Sequence, residues 1–381
     1  MIKVSERIDK SMELSELRQE INEIDKEILK LFEKRMNCSF GVAEYKIKNN
    51  MPVFQADREK EIINRVRSNV PEELSNSAEF LFTTLMDISK CKQFQKFFSD
   101  QSHIDFEPLN LNGKHVVAVP GTIGSYSHIA AKQFVKDCEP NFYENFEEVF
   151  EAVENGSAEF GVLPIVNSTT GSVVQTYSLM REHDFKICAE TKVQVDHCLA
   201  VKPGVKLEDI KSIYSHEQGL MQCSEFIKSH GFKTHTYSNT SLAACYIKNS
   251  DKPLGAICSQ VCAEELGLEV LETSIADAKE NYTKFMLISN KTLCSDDANI
   301  VSVSLAVPHT SSALYRLLTK FSVAGLNLCM IESMPIANTD FDVIFYLDFE
   351  GKITTPDVAK LINELNTELS YFKFLGNYSE V

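Results

Sequence analysis

Apolar residues in the first hundred positions recur with the period of an α-helix. The first run lays one stripe along a helix through steps of four and three residues, at Leu17, Ile21, Ile24, Ile28 and Leu31. The Asn-Asn-Met-Pro segment at residues 49–52 predicts the end of this helix. The same period predicts a second helix from about residue 56 and a third from about residue 72. Together they predict an all-helical domain over residues 1–105.

From residue 114 the pattern changes to short apolar strands that alternate with helical stretches. Examples of the strands are HVVAVP, FGVLPIV, ICAETKVQV, HCLAVKP, SIYSH and LGAICS. This alternation is typical of an α/β domain, which we place at residues 114–292. The segment FEPLNLNGK at residues 106–114 has turn chemistry and no period, and it is predicted to be the linker before this domain.

A polar gap at residues 295–299 precedes the last part of the chain, residues 299–381. There the pattern predicts strand, helix, strand, strand, helix and strand, which is the order of a ferredoxin-like α+β domain. Many small regulatory domains share this order, and it specifies no chemistry by itself. The predicted fold class is therefore multidomain: an all-α bundle, then an α/β domain, then a ferredoxin-like α+β domain.

Composition limits the classes of function. A chain of 381 residues is too long for one ordinary core. Its formal net charge of -16 argues against nucleic-acid binding, which needs a basic surface. The polar N-terminal segment and the lack of a run of about 20 apolar residues predict neither a signal peptide nor a membrane span. The 11 cysteines are scattered without a CxxC pair, which favours free thiols in a reducing cytoplasm over structural zinc.

Two cations continue the apolar stripe of the first predicted helix. Arg35 and Lys46 are eleven residues apart, about three helical turns, and they share that face with Val42. Because unpaired burial would be costly, either the cations extend to water at the edge of the bundle or they bind a small dianion in a pocket. Ser89 and Gln93 interrupt the apolar stripe of the third helix. With them, a polar pocket inside the bundle becomes the better interpretation.

The segment LSELRQEINEIDKEILKLFEKR, with YKIKNNMPVFQADREKEI after it, closely resembles the all-helical class of chorismate mutases. Seven residues fall on the active-site pattern of that family: Arg18, Arg35, Lys46, Arg58, Glu59, Ser89 and Gln93. The resemblance implies that the three arginines hold the carboxylates of the substrate. In the family the fold is an intertwined helical dimer, so Arg18 would reach into the pocket of the partner.

The implied reaction is a Claisen rearrangement of chorismate to prephenate, which needs no acid, base or nucleophile. It needs a compact substrate conformer and donors aimed at the oxygen that gains negative charge. By the resemblance, Lys46 and Gln93 are the donors to this ether oxygen. Glu59 and Ser89 would help to fix the hydroxyl side, where Gln55 stands in place of an acidic residue that is frequent in the family.

Six segments in order resemble prephenate dehydratase, from about residue 115 to residue 289: GSYSH, LPIVNSTTG, DHCL, YSHEQGLMQC, NTSLAA and NYTKF. The resemblance implies two α/β lobes, like those of a periplasmic binding protein, with the site in the cleft between them. It makes Thr283 the catalytic residue, and it lines the cleft with Asn167, Ser168, Thr169, Ser215, Gln218 and Ser241. Loss of CO2 and hydroxide from prephenate is driven by aromatisation, so a hydroxyl donor with neighbouring amides suffices.

Two positions depart from the dehydratase pattern. Val166 stands where the family usually has an acidic residue, and Lys284 stands where it usually has the arginine of Thr-Arg-Phe. Lys284 and Phe285 are both expected to contact the substrate. Because lysine keeps the charge but lacks the planar fork of arginine, the sequence predicts weakened prephenate binding and a gain in kcat/KM for Lys284→Arg.

The segments VSVSLAVPHTSSALYRLL and NLCMIESMP resemble the ACT domain that follows this dehydratase and senses phenylalanine. The resemblance assigns effector binding to Ser312, Ala313, Leu314, Glu332 and Ser333. Ser312 replaces the glycine of the family's Gly-Ala-Leu motif, and Met334 replaces the arginine of its Glu-Ser-Arg-Pro motif. The added side chain and the lost charge leave two expectations open, control by L-phenylalanine and a reduced or altered response.

Taken together, these resemblances imply a bifunctional enzyme of phenylalanine biosynthesis that converts chorismate to prephenate and prephenate to phenylpyruvate, without a metal or an organic cofactor. The expected partners are chorismate, prephenate, L-phenylalanine as effector, and further copies of the chain in a homodimer or larger homo-oligomer. Neither nucleic acid nor a membrane is expected as a partner. Two alternatives stay open: a mutase fused to an inactive, ligand-sensing dehydratase-like module, and a dehydratase that prefers arogenate.

Overall fold

The computed structural model describes residues 13–97, 104–336 and 343–381. Its first part is helical, with α1 at Leu14–Lys48, α2 at Ala56–Ser68 and α3 at Ser75–Phe97, the last preceded by a 3-10 turn at Glu72–Leu74. The helices begin and end close to the positions that the apolar period and Pro52 predict. The predicted domain bounds, 1–105, include residues 1–12 and 98–103, which lie outside the described residues.

The rest of the chain does not cover the N-terminal half of α1. The buried residues of this helix lie in its C-terminal half, which packs against α3: Met36, Ser39, Ala43 and Lys46. The predicted stripe is exposed within one chain, with Ile21, Ile24, Ile28 and Leu31 at 56, 49, 56 and 65 % exposure. Val42 is also exposed, because the buried face of α1 turns toward Ser39 and Ala43. Within one chain, the apolar stripe of α1 therefore remains exposed.

The middle of the chain alternates strands and helices. In chain order these elements are β1 Glu107–Pro108, β2 Lys114–Pro120, α4 Tyr126–Phe134, β3 Asp137–Tyr143, α5 Phe146–Glu154, β4 Phe160–Asn167, β5 Gly171–Ser172, α6 Val174–Glu182, β6 Lys186–Gln194, β7 Cys198–Val201, β8 Ser212–Ser215, α7 Glu217–Gln222, α8 Ser224–His230, β9 Lys233–Thr236, α9 Thr240–Lys248, β10 Gly255–Cys258, α10 Gln260–Leu266, β11 Glu269–Glu272, β12 Tyr282–Ser289 and β13 Leu293–Cys294. The predicted alternation is confirmed. The predicted linker at 106–114 differs, because β1 within it pairs in parallel with β13.

Two sheets divide this region into two lobes. One lobe is built on the five-stranded sheet β11-β7-β10-β8-β9, with its own apolar core. The other is built on β6, β12, β4, β2 and β3, which belong to a larger sheet. The chain leaves the large sheet after β6 and returns to it with β12. The segments at residues 195–197 and 273–281 therefore connect the lobes, and a cleft opens between them.

The last part contains β14 Ile300–Leu305, α11 Ala313–Ala324, β15 Leu328–Pro335, β16 Val343–Glu350, α12 Pro356–Glu368 and β17 Phe372–Tyr378, in the predicted element order and with strand order β15-β16-β14-β17. Strand β17 also pairs with β6, through Gly376 and Ile187, so the large sheet runs on into this part. A Cβ at Gly376 would lie 2.2 Å from the carbonyl oxygen of Ile187, so only glycine fits there. Helices α11 and α12 pack against α3.

None of the helices within the described ranges has the length and apolar character that crossing a membrane requires.

Candidate active sites

A hydrogen-bonded cluster of polar side chains forms where the C-terminal half of α1 faces α3, and it is called the helical pocket below. Arg35 donates from Nη1 to the carbonyl oxygen of Leu85, at 2.7 Å, and to the hydroxyl oxygen of Ser89. Burial lowers the pKa of the Arg35 guanidinium, which nevertheless stays protonated at neutral pH. The arginine is therefore held as a fixed positive charge at one end of the pocket.

Lys46 occupies the other end of the pocket. Its Nζ donates to the carbonyl oxygen of Val53 at 2.6 Å and to Oε1 of Gln93 at 3.3 Å, and Gln93 in turn donates to Ser39 at 3.1 Å. Burial lowers the pKa of Lys46, while the charge of Glu59 works in the opposite direction. The structure thus brings together Arg35, Lys46, Ser89 and Gln93, the core of the residues expected from sequence.

Glu59 lies beside this pocket in a cluster of charges that the sequence reasoning missed. Its carboxylate accepts from Nζ of Lys90 at 2.7 Å and lies 3.4 Å from Nη2 of Arg316. Lys90 also pairs with Asp87 at 2.9 Å. Asp87 and Lys90 are one turn apart on α3, a spacing visible in the sequence, whereas Arg316 is distant in sequence and gave no signal.

Two expected arginines do not reach the pocket of their own chain. Arg18 is exposed, and seventeen residues of helix, about 25 Å, separate it from Arg35. Arg58 is exposed on α2 and pairs with Glu61 at 2.6 Å. Gln55 is half-buried at the N-cap of α2, where its side chain makes no capping bond. A single chain therefore supplies only part of the expected set.

The cleft between the α/β lobes is organised around Asn167 at the end of β4. Its Oδ1 accepts from the backbone and hydroxyl groups of Thr169 and Thr170, at 2.6–3.1 Å. Its Nδ2 donates to Oγ1 of Thr283 at 2.9 Å and to Oδ1 of Asn281 at 2.8 Å. Because Asn167 is buried, it fixes both the loop after β4 and the hydroxyl of Thr283.

Strand alternation decides which part of Thr283-Lys284-Phe285 meets the cleft. Thr283 and Phe285 line the cavity in the cleft, which has a volume of about 420 Å³. Lys284 points to the other face of the sheet, where its Nζ pairs with Glu190. Burial opposes the charged form of Lys284, but the bond and charge of Glu190 leave its pKa raised. Lys284 therefore does not line the cavity in which its contact with the substrate was expected.

Three expected hydroxyls have structural partners. Ser168 accepts from the backbone N–H of Tyr282 at 2.9 Å and so ties the loop to β12, and Ser215 is fully buried and donates to the carbonyl oxygen of Ile257 at 2.7 Å. Neither lines the cavity. Ser241 does line it, at the start of α9, while donating to Asn239.

Two amide side chains connect the lobes across the cleft. Gln218 donates to Oγ1 of Thr170 at 3.0 Å, and Gln222 donates to Oγ1 of Thr169 at 3.3 Å. Both glutamines come from α7 in one lobe, and both threonines come from the loop after β4 in the other. Gln218 and Thr169 were expected near the site, and the structure places them in these bridges.

Tyr126, His197 and Gln222 were missed as individual residues, although their motifs were recognised. His197 Nε2 lies 3.0 Å from Oε1 of Gln222, and its Nδ1 lies 3.1 Å from the hydroxyl of Tyr126, which also donates to the backbone of Asp196 at 2.7 Å. Burial lowers the pKa of His197. Burial therefore favours the neutral form of this imidazole.

No lysine or arginine is found among the described residues that line the cleft cavity. The donors there are side-chain amides and hydroxyls, together with the first turns of α4 and α9. Ser125 caps α4 by accepting from His128 N at 3.2 Å, and Asn239 caps α9 by accepting from Leu242 N at 2.7 Å. The remaining N–H groups of these turns carry partial positive charge, which suits an anionic ligand.

The expected effector residues fall into two groups. Ala313 and Leu314 line a cavity with Phe345 and Tyr371, whereas Ser312 lines a neighbouring cavity that also touches Glu59. Glu332 and Ser333 lie on β15 and line neither cavity. Ser312 has φ of 63°, a left-handed conformation that glycine adopts without strain. The backbone conformation at this position therefore explains why the family has glycine there.

Two family models match the chain, chorismate mutase type II over residues 17–94 and prephenate dehydratase over residues 117–293. The helical pocket lies in the first match and the cleft in the second. The fold and the two sites thus define a helical mutase joined to an α/β dehydratase.

One relative matches nearly the whole chain, and two more match about two thirds of it. The bifunctional chorismate mutase/prephenate dehydratase of Aquifex aeolicus is 30% identical over 372 residues, covering 96% of this chain and 98% of the relative. Arogenate dehydratase 2 of Petunia hybrida is 32% identical over 279 residues, covering 69% and 71%. The structure of prephenate dehydratase in complex with L-Phe from Arthrobacter aurescens matches with a TM-score of 0.64 at 28% identity, covering 69% of this chain and 89% of that one. The chain belongs to the family of bifunctional chorismate mutase/prephenate dehydratases.

Proposed function

We propose that the α1–α3 pocket rearranges chorismate and that the lobe cleft then dehydrates and decarboxylates the product. As a member of its family the protein is an enzyme with two activities, chorismate mutase and prephenate dehydratase, in phenylalanine biosynthesis. The proposed domain bounds are 1–105, 114–292 and 299–381. The observation that carries the assignment is the occurrence of two separate polar sites, one cationic and one neutral, in one chain.

In the mutase pocket, Arg35 would hold a carboxylate, and the Lys46–Gln93 pair would donate to the ether oxygen. That oxygen gains negative charge as its bond to carbon breaks, so fixed donors stabilise the transition state more than the substrate. Ser89 and Glu59 would face the hydroxyl side, near Gln55. Arg18, which is about 25 Å from Arg35 along α1, would serve the pocket of a second chain.

In the cleft, Thr283 would act as a hydrogen-bond donor. Its oxygen accepts a hydrogen bond from Asn167, at 2.9 Å, so its own hydrogen is available for the hydroxyl that leaves prephenate. As the carboxylate departs as CO2, the electron pair of its bond to the ring forms the aromatic system and expels the hydroxyl as hydroxide. The Thr283 hydroxyl stabilises this hydroxide by a hydrogen bond, and the hydroxide takes a proton from solvent. Gln218, Thr169, Ser241 and Phe285 would position the ring, with closure of the two lobes like that of a periplasmic binding protein.

A second copy of the chain would cover the exposed apolar stripe of α1. A contiguous row of isoleucine and leucine, at 49–65 % exposure, is the pattern of a helix that packs against a partner helix. A homodimer or a larger homo-oligomer follows from this. Light scattering on the purified protein tests the proposal, because a monomer at micromolar concentration would rule it out.

Residues 299–381 would form a ferredoxin-like ACT domain that binds L-phenylalanine. Its element order and strand order support this proposal, as does the L-Phe in the structure of the Arthrobacter relative. Ala313 and Leu314 would contact the effector in the cavity that they line, whereas Ser312, Glu332 and Ser333 lie outside that cavity. Ser312 and Met334 favour a weak or altered response. Calorimetry with L-phenylalanine tests this, and no binding at millimolar ligand would exclude the sensing role.

The primary experiment follows chorismate loss and phenylpyruvate formation in one sample. We expect phenylpyruvate to accumulate with the unchanged protein, Thr283→Ala to stop the sequence at prephenate, and Arg35→Ala to block chorismate consumption. If prephenate accumulates with the unchanged protein, the mutase assignment stands, and the second domain is assigned as a ligand sensor instead of a dehydratase. Because a relative is an arogenate dehydratase, arogenate is the competing substrate to assay beside prephenate.

A further inference from the structure

An arginine of the C-terminal part reaches into the helical domain. Arg316, on the second turn of α11, donates to Asp87 through Nε at 3.2 Å and through Nη2 at 2.9 Å. The same Nη2 lies 3.4 Å from Oε2 of Glu59. The planar guanidinium therefore spans two carboxylates on two different helices, α2 and α3, a geometry that lysine cannot reproduce.

The four charges of this cluster balance. Glu59 and Asp87 carry two negative charges, and Lys90 and Arg316 carry two positive charges. Asp87 and Lys90 are 5 and 8 % exposed, so water screens them weakly. Burial opposes the charged form of Arg316, but Asp87 and Glu59 leave its pKa raised. Removal of the Arg316 charge would leave one uncompensated negative charge inside the domain.

The charge balance extends to the pocket. After burial, the two largest influences on the pKa of Lys46 are the charges of Glu59, which raises it, and Lys90, which lowers it. Lys46 is the proposed donor to the ether oxygen, and Glu59 is proposed to meet the substrate hydroxyl. The charges of the cluster that Arg316 holds therefore act directly on Lys46, the proposed donor in the reaction.

We propose that Arg316 is a positioning residue of the mutase, supplied by the C-terminal part of the chain. It fixes the carboxylate of Glu59 toward the pocket and cancels the charge of Asp87, so that a dianionic substrate enters without repulsion. This proposal rests on the assignment of the helical pocket to the mutase. By linkage, a ligand that moves α11 changes chorismate affinity, and chorismate changes the affinity of that ligand by the same factor.

Other contacts of the same interface allow the effect of the charge to be separated from the effect of docking. Tyr315, next to Arg316, packs against Phe80 with ring centres 4.8 Å apart and ring planes tilted by 43°, and its hydroxyl lies 3.2 Å from Oγ1 of Thr84. Tyr315→Phe removes the hydroxyl contact and keeps the ring contact. It is a matched control, since it alters the interface without changing any charge near Glu59.

The test compares mutase kinetics of Arg316→Met, Arg316→Lys and the double variant Arg316→Met/Asp87→Asn in the full-length protein. We expect KM for chorismate to rise about tenfold in Arg316→Met, with kcat less affected, because one excess negative charge opposes a dianion. Arg316→Lys should recover only part of this loss. The double variant has the same net cluster charge as the unchanged protein, so its KM should return to within about threefold.

The double variant distinguishes a positioning role from a structural one. If Arg316 served only to dock α11 on the helical domain, the loss of its hydrogen bonds would persist in the double variant, and KM would not recover. No recovery in the double variant, or a KM within twofold of normal in Arg316→Met, overturns the proposal. Tyr315→Phe should leave KM unchanged, and dehydratase activity on added prephenate should persist in each variant, which shows that the chain is folded. Absence of mutase activity in the unchanged protein would instead overturn the assignment of the pocket.

Discussion

The proposed mutase pocket and the proposed dehydratase cleft offer different groups to an anionic substrate. The pocket places Arg35 and Lys46 at its ends, with Glu59 beside them in a balanced cluster. The described lining of the cleft contains no lysine or arginine and relies on amides, hydroxyls and helix N-termini. The charge of a substrate therefore does not dictate which residue types bind it.

The two reactions explain this difference. In the rearrangement, negative charge grows on the ether oxygen while both carboxylates stay in place, so fixed cations help throughout. In the dehydratase reaction one carboxylate leaves as CO2, and its charge moves away through the ring. A cation fixed on that carboxylate would stabilise the substrate more than the transition state and would slow the step. Neutral donors avoid that penalty.

The largest expected effect is on the neutral site. Asn167→Ala removes the acceptor of four donors and the donor to Thr283, so we expect kcat on prephenate to fall about 10²–10³-fold while mutase activity stays normal. Asn155→Ala is the matched control, because Asn155 organises a surface turn by accepting from Ser157. Equal losses in both variants, or a loss below tenfold in Asn167→Ala, would contradict the central role of Asn167.

The sheet that carries Thr283 holds its buried charges on the face away from the cleft. Asp348 lies there with Ser302 and Lys284 near it, and burial raises its pKa from 3.8 to about 6. Above pH 6 the ionised Asp348 carboxylate therefore lowers the free energy of unfolding, and this destabilisation disappears as the pH falls toward 4. Asp348→Asn should stabilise the protein by up to about 3 kcal/mol at pH 8 and by little at pH 4, in urea unfolding. Equal stability of the two proteins at pH 8 would contradict this.

Ionic strength should affect substrate binding at the two sites to different extents. Raising KCl from about 0.05 M to about 0.5 M should increase KM for chorismate several-fold, because salt screens the attraction of Arg35 and Lys46 for a dianion. KM for prephenate should change less, since the cleft offers dipoles rather than full charges. Steady-state kinetics of both steps in one buffer series would show this. A parallel rise of both constants would mean that charges outside the lining steer prephenate.

The smallest expected effect concerns Lys284. The sequence pattern predicts a gain in kcat/KM for Lys284→Arg, whereas the structure places this side chain behind the sheet with Glu190. We expect kcat/KM on prephenate to stay within about twofold, because the substituted group does not face the substrate. A fivefold gain would show that residue 284 acts on the cleft through β12.

Local periodicity predicted much of the architecture, and contacts between distant segments account for the rest. The helical period located α1 to α3, and the alternation of short strands located both α/β regions. The helical period could not show that Ile21 and Ile28 lack a partner within their own chain. An apolar stripe predicts that a helix face is buried, but it does not identify the surface that covers it. The resemblance to prephenate dehydratase likewise placed Ser168 and Ser215 near the site but could not show that their hydroxyls bind backbone groups. Arg316 gave no signal, since its partners lie more than two hundred residues away.

The junction of β17 with β6 has a consequence for how the protein can be divided. A dehydratase cut free after residue 297 would lose β17 and leave β6 as the outer strand of its sheet, with backbone groups open to other chains. Such a fragment would be prone to associate edge to edge, and its low yield or aggregation would say nothing about catalysis. The substitution of any larger residue for Gly376 would open the same edge in the intact chain.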